Sequence, residues 1–221
     1  MSPLIYKKSV QKRKFYNFTL MLIVLNFLIF LVMLVLQYSY GNIVLENVAI
    51  QPSLILQGKK LWTVVTSMFM HANFMHLFVN MMSLLFLGSF LERLIGSKRF
   101  IFIYLVAGIV ASLAFAFLAM AFNSDLNVPA VGASGAIFGI GGVLAVLTPK
   151  LPIYILFIPI AMPMWLGIIL MLALMWVVSA VAGLPIGNTA HLGGVIAGLI
   201  YGFYLRFKYK KKAALLDRYF R

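Results

Sequence analysis

The chain has no cysteine and few charged residues. Without cysteine in its 221 residues, disulfide bonds, thiol catalysis and cysteine-based metal sites are excluded. Charged residues make up 10% of the chain, against about a quarter in a soluble domain, and 64% of the residues are hydrophobic. This composition predicts a polytopic membrane protein whose surroundings are the lipid bilayer.

Acidic residues are especially scarce. Four Asp and Glu residues stand against 18 Lys and Arg residues, which gives a formal net charge of +14. Lys and Arg collect in the cytoplasmic loops of membrane proteins, so membrane topology accounts for the excess. No RNA- or DNA-binding motif accompanies it, and we expect no nucleic-acid partner. The composition does not indicate an oligomeric state.

Potential metal ligands are also rare. The chain has three histidines, no cysteine and no acidic residues next to those histidines. Such a set could form only a catalytic type of metal site, and no H-E-x-x-H pattern is present. We therefore expect neither a metal ion nor a cofactor.

The apolar stretches predict an all-α bundle of six transmembrane helices. The predicted spans are about 18–36, 74–91, 100–122, 134–147, 165–181 and 190–205. Six spans leave only Lys59 and Lys60 outside, whereas five or seven would put a basic cluster on the wrong side. We therefore expect a multi-pass protein of the cell membrane with both termini in the cytoplasm. The predicted parts are a cytoplasmic basic segment 1–16, a membrane domain 17–207 and a cytoplasmic basic tail 208–221.

Two connections between spans are predicted to lie at the membrane interface. Residues 37–70 are too apolar for a solvated loop, and Gly41, Pro52 and Gly58 interrupt them too often for a span. Residues 151–163 contain three prolines, which prevent one regular helix, and are predicted to be extended. A short outer loop is expected at 183–188.

The predicted helix 134–147 is too short to cross the membrane alone. Its 14 residues cover roughly 21 Å, against a hydrocarbon core of about 30 Å. If its far end reaches one surface, Ser134 at its start lies inside the membrane. A helix start stabilises an oxyanion, and non-helical backbone at that depth requires a cavity lined by protein or water. Ser134 therefore suits a nucleophile, although the stretch Gly132-Ala-Ser-Gly-Ala-Ile-Phe-Gly139 alone is more typical of a small-residue packing seam.

His191 lies at the start of the last predicted span. Glycines repeat every four residues after it and would let another helix backbone come close. They are Gly194, Gly198 and Gly202, and the 134–147 helix offers Gly135, Gly139 and Gly142. Pairing of these faces would bring Ser134 and His191 within hydrogen-bond reach, so that His191 could take the serine proton. The alternative is a histidine that only bonds a loop carbonyl.

His76 and Asn80 share one face of the second predicted span, because they are four residues apart. Their N–H groups would suit an oxyanion hole, and interhelical hydrogen bonding is the alternative. His71 is five residues before His76 and is predicted to point elsewhere and bond the outer connection. No acidic residue is placed to orient His191, so the hypothesis is a Ser–His dyad.

Together these motifs resemble the rhomboid intramembrane serine proteases. The resemblance covers about residues 60–205 and is carried by Leu61-Trp62, His71-x4-His76-x3-Asn80, Glu92, Gly132-Ala-Ser-Gly135 and Ala190-His-Leu-Gly-Gly194. It implies Ser134 as nucleophile and His191 as general base. It also implies an oxyanion hole of His76, Asn80 and the Ser134 backbone N–H. The substrate implied is a transmembrane helix that enters beside the fifth helix and is cut near its outer end.

The chain departs from the family pattern at two positions. Thr63 stands where many members have arginine, and Phe138 stands where some have tyrosine, which keeps the aromatic packing but not the hydroxyl. An alternative function is a non-proteolytic rhomboid-like protein that binds client transmembrane helices. A transporter or channel would need intramembrane charges or broken inverted repeats, and the sequence has neither. Because the serine and the histidine are both present, the protease is favoured.

Overall fold

A computed structural model of the chain describes residues 17–155, 158–183 and 187–219, most of which are helical. The predicted segment 1–16 lies outside the described residues, as do residues 184–186 of the predicted outer loop and the last two residues of the tail. The helices are α1 Phe18–Tyr40, α2 Ile43–Val48, α3 Pro52–Leu56, α4 Thr63–Thr66, α5 Phe74–Ser83, α6 Ser89–Ile95, α7 Ser97–Ala121, α8 Ser134–Leu147, α9 Met164–Ala182, α10 Asn188–Lys208 and α11 Lys210–Tyr219. A 3₁₀ turn, Ser67–Phe69, follows α4, and a π-helical turn, Leu84–Gly88, joins α5 to α6.

Five helical stretches in the described part of the chain are long and apolar enough to cross a membrane. They are Phe18–Tyr40, Phe74–Ile95, Ser97–Ala121, Met164–Ala182 and Asn188–Lys208. The remaining predicted span, the fourth in chain order, is α8, which has 14 residues and begins at Ser134 as expected. The structure therefore confirms an all-α polytopic bundle with a short central helix that carries the serine.

The short helix α8 is the centre of this bundle. It packs against α7, α9 and α10, and 11 of its 14 residues are buried. A Cβ atom on Gly194 would overlap the carbonyl oxygen of Gly135, and one on Gly198 would overlap that of Gly139. The backbones of α8 and α10 can approach this closely only through glycine. The predicted pairing of the two glycine faces is confirmed.

A buried carboxylate connects α6 to the first turn of α1. Glu92 is 2% exposed, and it accepts hydrogen bonds from the backbone N–H groups of Phe18 and Thr19, both at 2.9 Å. It also accepts one from the Thr19 hydroxyl at 2.7 Å. The first N–H groups of a helix have no partner within the helix, so this carboxylate satisfies two that would otherwise be unpaired.

Replacing Glu92 with glutamine should destabilise the protein. Glutamine has a similar shape but no charge and one acceptor oxygen fewer, so the donors at Phe18 and Thr19 lose charge-assisted bonds. A hydrogen bond to a charged group contributes about 1.5–3 kcal/mol, and we expect a loss of about 2 kcal/mol in the free energy of unfolding. Denaturant unfolding in neutral detergent measures it. Glu46→Gln, on an exposed position of α2, is the control and should cost less than about 0.5 kcal/mol; equal stabilities would contradict this role of Glu92.

The predicted interfacial loop 37–70 is mostly short helices. α1 continues past its predicted end to Tyr40, and α2, α3 and α4 follow. Side chains bond this connection to itself: the Trp62 indole N–H donates to the Asn47 carbonyl at 2.8 Å, and the Thr66 hydroxyl donates to the Val48 carbonyl at 2.9 Å. Thr63 is buried, and its hydroxyl donates to the Lys60 carbonyl at 2.7 Å.

The predicted extended stretch 151–163 is an antiparallel hairpin. Strand β1, Pro152–Ile155, pairs with strand β2, Ile158–Pro163. Pro152 and Pro163 face each other at the open end of the hairpin. The absence of a regular helix is as predicted, whereas the strand pairing is an addition. The Ile153 side chain fills the space beside Gly167, which attaches the hairpin to the start of α9.

The predicted basic tail contains a helix. α10 ends at Lys208, and α11 turns back along the end of the bundle. Asp217 of α11 accepts two hydrogen bonds from Arg206 of α10, at 2.6 and 3.2 Å. Arg206 also donates to the Val146 carbonyl in the last turn of α8 at 2.9 Å. This bidentate ion pair holds α11 beside the ends of α8 and α10.

Candidate active site

Ser134 is the first residue of α8, and the chain before it is held from two sides. The Gly132 N–H donates to the Ser67 carbonyl at 2.9 Å, and Ala130 exchanges two backbone hydrogen bonds with Ile50, at 2.8 and 3.0 Å. Gly132 has φ of +135°, a conformation that favours glycine. No side chain among the described residues caps the first turn of α8, and the N–H groups of that turn point at the space before the helix.

His191 meets Ser134 across the α8–α10 contact. The distance from Ser134 Oγ to His191 Nε2 is 2.8 Å, a hydrogen-bond distance. Phe138, one turn further along α8, stacks on the imidazole with ring centroids 4.6 Å apart and planes inclined by 26°. The predicted aromatic packing at position 138 is therefore present, and it fixes the orientation of the ring.

The second nitrogen of His191 has no carboxylate beside it. Within the described ranges, Nδ1 is buried and has no hydrogen-bond partner. If Nε2 accepts from the serine hydroxyl, Nδ1 carries the proton. In the described part of the protein, the serine and the histidine thus form a hydrogen-bonded pair with no acidic side chain bonded to the imidazole.

His76 and Asn80 project from α5 toward the same space. Asn73 caps α5 by accepting a hydrogen bond from the His76 backbone N–H at 2.8 Å. A Cβ atom on Gly132 would lie 2.9 Å from Cε1 and Nε2 of His76 and 3.5 Å from Ser134 Oγ, so the imidazole lies directly over Gly132. The Asn80 side-chain N–H₂ is buried and has no partner in the described part of the protein. The His76 imidazole therefore lies close to the serine, and the Asn80 N–H₂ group borders the same cavity as both.

The prediction that His71 points away from His76 is wrong. The two imidazoles meet edge to face with their centroids 5.2 Å apart. The prediction assumed helical spacing across 71–76, but α5 begins only at Phe74, and Asn73 is fully extended. Burial, and secondly the neighbouring His76, lowers the pKa of His71 to about 4, so its ring is neutral at pH 7.

The four candidate site residues border one cavity of about 620 Å³. Its walls come from α5, α7, α8, α9 and α10, and His76, Asn80, Ser134 and His191 all border it. Met171 and Met175 are among its apolar lining residues and belong to α9. No group of three His, Asp or Glu residues in the described ranges could hold a metal ion. The arrangement offers a hydroxyl, a base and nearby N–H donors in one hollow, which are the components of acyl-transfer chemistry.

Comparison with known proteins gives the family. The model of the Rhomboid domain matches residues 58–208, which is more than half of the chain. The chain therefore belongs to the rhomboid family.

Relatives in this family include both a protease and an inactive protein. The Rhomboid protease GluP of Bacillus subtilis is 34% identical over 187 residues, which cover 82% of this chain and 33% of the relative. The mitochondrial Rhomboid protein 1 of Saccharomyces cerevisiae is 29% identical over 143 residues, covering 65% and 41%. Inactive RHOMBOID-like protein 8 of Arabidopsis thaliana is 32% identical over 154 residues, covering 69% and 40%. The chain thus spans less than half the length of these relatives.

Proposed function

We propose that this protein is an intramembrane serine endopeptidase that cleaves transmembrane-helix substrates. The observation that carries the proposal is the 2.8 Å contact between Ser134 Oγ and His191 Nε2 at the wall of a cavity. A serine that only packed two helices would need neither a base at this distance nor open space beside it. The similarity to a relative named a rhomboid protease supports the same function.

In the proposed reaction Ser134 is the nucleophile and His191 the general base. Ser134 Oγ attacks the carbonyl carbon of the scissile peptide bond while His191 Nε2 takes the hydroxyl proton. His191 then gives that proton to the leaving amine, and the peptide bond breaks to leave an acyl-enzyme on Ser134. Water, deprotonated by the same nitrogen, attacks the ester, releases the acid and restores the serine.

The proposed oxyanion hole consists of the His76 and Asn80 side chains and the Ser134 backbone N–H. The negative charge of the tetrahedral intermediate would lie beside the start of α8, where the helix dipole is positive. The unpaired Asn80 N–H₂ group supports this role, because a buried donor without a partner is costly unless a ligand engages it.

The substrate would reach the cavity beside α9. Only Met164, Gly167 and Ile168, all near the start of α9, are buried residues of this helix, whereas Met171 and Met175 border the cavity further along. This helix is therefore the least enclosed wall. A substrate helix would be cut near its outer end, and glycine or alanine near the cut would ease its unwinding. The proposed setting is the cell membrane, with both termini of this chain in the cytoplasm.

A fluorophosphonate probe separates the protease from a non-proteolytic rhomboid-like protein that holds client helices. Similarity to the inactive Arabidopsis relative is the observation that supports the non-proteolytic function as the alternative. An activated serine should react, and mass spectrometry of the labelled protein should place the phosphonyl group on Ser134. A purified, folded protein that takes up no label at Ser134 would identify the non-proteolytic binder instead.

Removing either oxyanion donor should slow catalysis without removing the nucleophile. We expect His76→Ala and Asn80→Ala each to lower the cleavage rate by about 10²–10³-fold, the usual cost of losing one such donor. Fluorophosphonate labelling of Ser134, followed to completion, serves as the internal control for folding; its rate should also fall, because the phosphonyl oxygen uses the same donors. Wild-type cleavage rates in both would show that the two side chains only bond neighbouring helices.

A further inference from the structure

Positive charge gathers around one tyrosine ring at the end of the bundle opposite the serine cavity. Tyr209 directly follows α10. Arg99 Cζ lies 4.9 Å from the centroid of its ring, Lys212 Nζ 5.9 Å and Lys208 Nζ 6.0 Å. Arg99 also donates a hydrogen bond to the Tyr209 hydroxyl at 2.6 Å. All three cations are exposed, and we call Arg99, Lys208 and Lys212 the cationic cluster.

No carboxylate of the described residues is available to neutralise this cluster. Asp217 is paired with Arg206, and Glu92 is buried against the start of α1. Glu46 belongs to α2 and Asp125 follows the far end of α7, so both lie toward the other end of the bundle. Cation–π contacts hold the three side chains near Tyr209 but do not cancel their mutual repulsion. An anion from outside the chain would neutralise this repulsion.

A row of aromatic rings leads away from the cluster along the surface of α7 and α10. The Lys208 ammonium donates to the Tyr204 hydroxyl at 2.8 Å, and Tyr204 stacks on Tyr201 with centroids 5.9 Å apart. Tyr201 in turn contacts Phe102 of α7 at 5.6 Å. Phe102 is 52% exposed and Tyr204 49%, so these rings form an open surface, which we call the aromatic row. Because α7 and α10 are both long and apolar enough to span a membrane, the row lies on the surface of two candidate spans.

We propose that the cationic cluster binds the phosphate of an anionic phospholipid whose acyl chain lies along the aromatic row. The charges match a headgroup at the membrane surface, and the rings below them match the chain attached to that headgroup. A soluble phosphate ester would engage the cations and leave the row uncovered. This site shares no residue with the catalytic cavity and does not depend on the proposed protease function.

The ion pair of α11 gives the site its third cation. Arg206 and Asp217 hold α11 against the bundle, which brings Lys212 to Tyr209. Ala213, the next residue, is buried, and Leu215 is 63% exposed. α11 thus presents lysine and an exposed apolar side chain together, as helices at a membrane surface do.

Native mass spectrometry of the full chain in neutral detergent tests the proposal. Titration with phosphatidylglycerol should yield a tightly retained lipid, and phosphatidylcholine should not. Lys208→Gln/Lys212→Gln removes two charges of the cluster and should weaken phosphatidylglycerol binding about 30-fold. The matched control Lys150→Gln/Lys211→Gln removes two exposed charges from the same end of the protein outside the cluster, and should change binding less than about threefold. Equal losses in both double variants, or none in either, would overturn the site.

Glycerol phosphate distinguishes a lipid from a soluble phosphate. The wild-type protein should bind it far more weakly than phosphatidylglycerol, and Phe102→Ala should weaken only the lipid, by about fivefold. Glycerol phosphate bound as tightly as the lipid would contradict a lipid site, as would a Phe102→Ala protein with unchanged lipid affinity.

Discussion

Replacing His191 with alanine should lower the cleavage rate of a transmembrane substrate by about 10⁴-fold or more. The hydroxyl of Ser134 is a poor nucleophile unless a base takes its proton, and His191 Nε2, 2.8 Å away, is the proposed base. Members of such a catalytic pair act as a unit, so losing one removes nearly the whole effect. The rate is measured by gel-based cleavage in proteoliposomes, and fluorophosphonate labelling of Ser134 should fall with it.

Leu192→Ala is the matched control for that variant. Leu192 is the next residue of α10 and is 37% exposed, so its truncation changes the same turn of helix without touching the dyad. Its cleavage rate should stay within about threefold of wild type, because surface substitutions have small effects. A His191→Ala protein that cleaves as fast as Leu192→Ala would refute the role of the histidine.

Gly198→Ala should impair both folding and catalysis. The added Cβ would overlap the Gly139 carbonyl oxygen, which belongs to backbone and cannot rotate away, so α8 and α10 must move apart. Overpacking of this kind costs about 1–3 kcal/mol. Because the same two helices carry Ser134 and His191, a displacement of about 1 Å would also reduce the cleavage rate about 10²-fold. Thermal unfolding in detergent and the proteoliposome assay measure the two effects.

Two further variants of α10 make this prediction specific. At Gly202 an added Cβ would lie 2.9 Å from the Val146 Cβ, a smaller overlap than the one at Gly198, so Gly202→Ala should cost less than Gly198→Ala. Ile196 is 47% exposed, and Ile196→Ala should behave as wild type. If all three proteins have wild-type melting points and rates, close backbone contact is not what positions the dyad.

The sequence predicted the parts of the site that depend on where helices begin and end and on the spacing of glycines. Gly132 and Pro149 bracket an apolar run that can only be a short helix, and α8 begins at Ser134 as predicted. Glycines four residues apart share one helix face and let another backbone approach, which predicts the contact observed between α8 and α10. These inferences need only the local sequence and the thickness of a bilayer.

The parts that were missed depend on contacts between distant or irregular segments. Helical spacing predicts that His71 points away from His76. The chain is instead extended at Asn73, and the two rings meet. Residues 210–219 have the composition of a solvated tail, and their helix is held by the pair between Arg206 and Asp217, which no local pattern reveals. The hairpin likewise requires a partner strand, whereas its prolines indicate only that a helix is excluded.

The most direct test of the account is cleavage of a purified transmembrane substrate co-reconstituted with this protein in liposomes. Mass spectrometry of the products locates the bond that is cut. The wild-type protein should produce two fragments with the cut near the outer end of the substrate helix, and Ser134→Ala should produce none. The same fragments, formed at the same rate by Ser134→Ala, would contradict the assignment of Ser134 as the nucleophile.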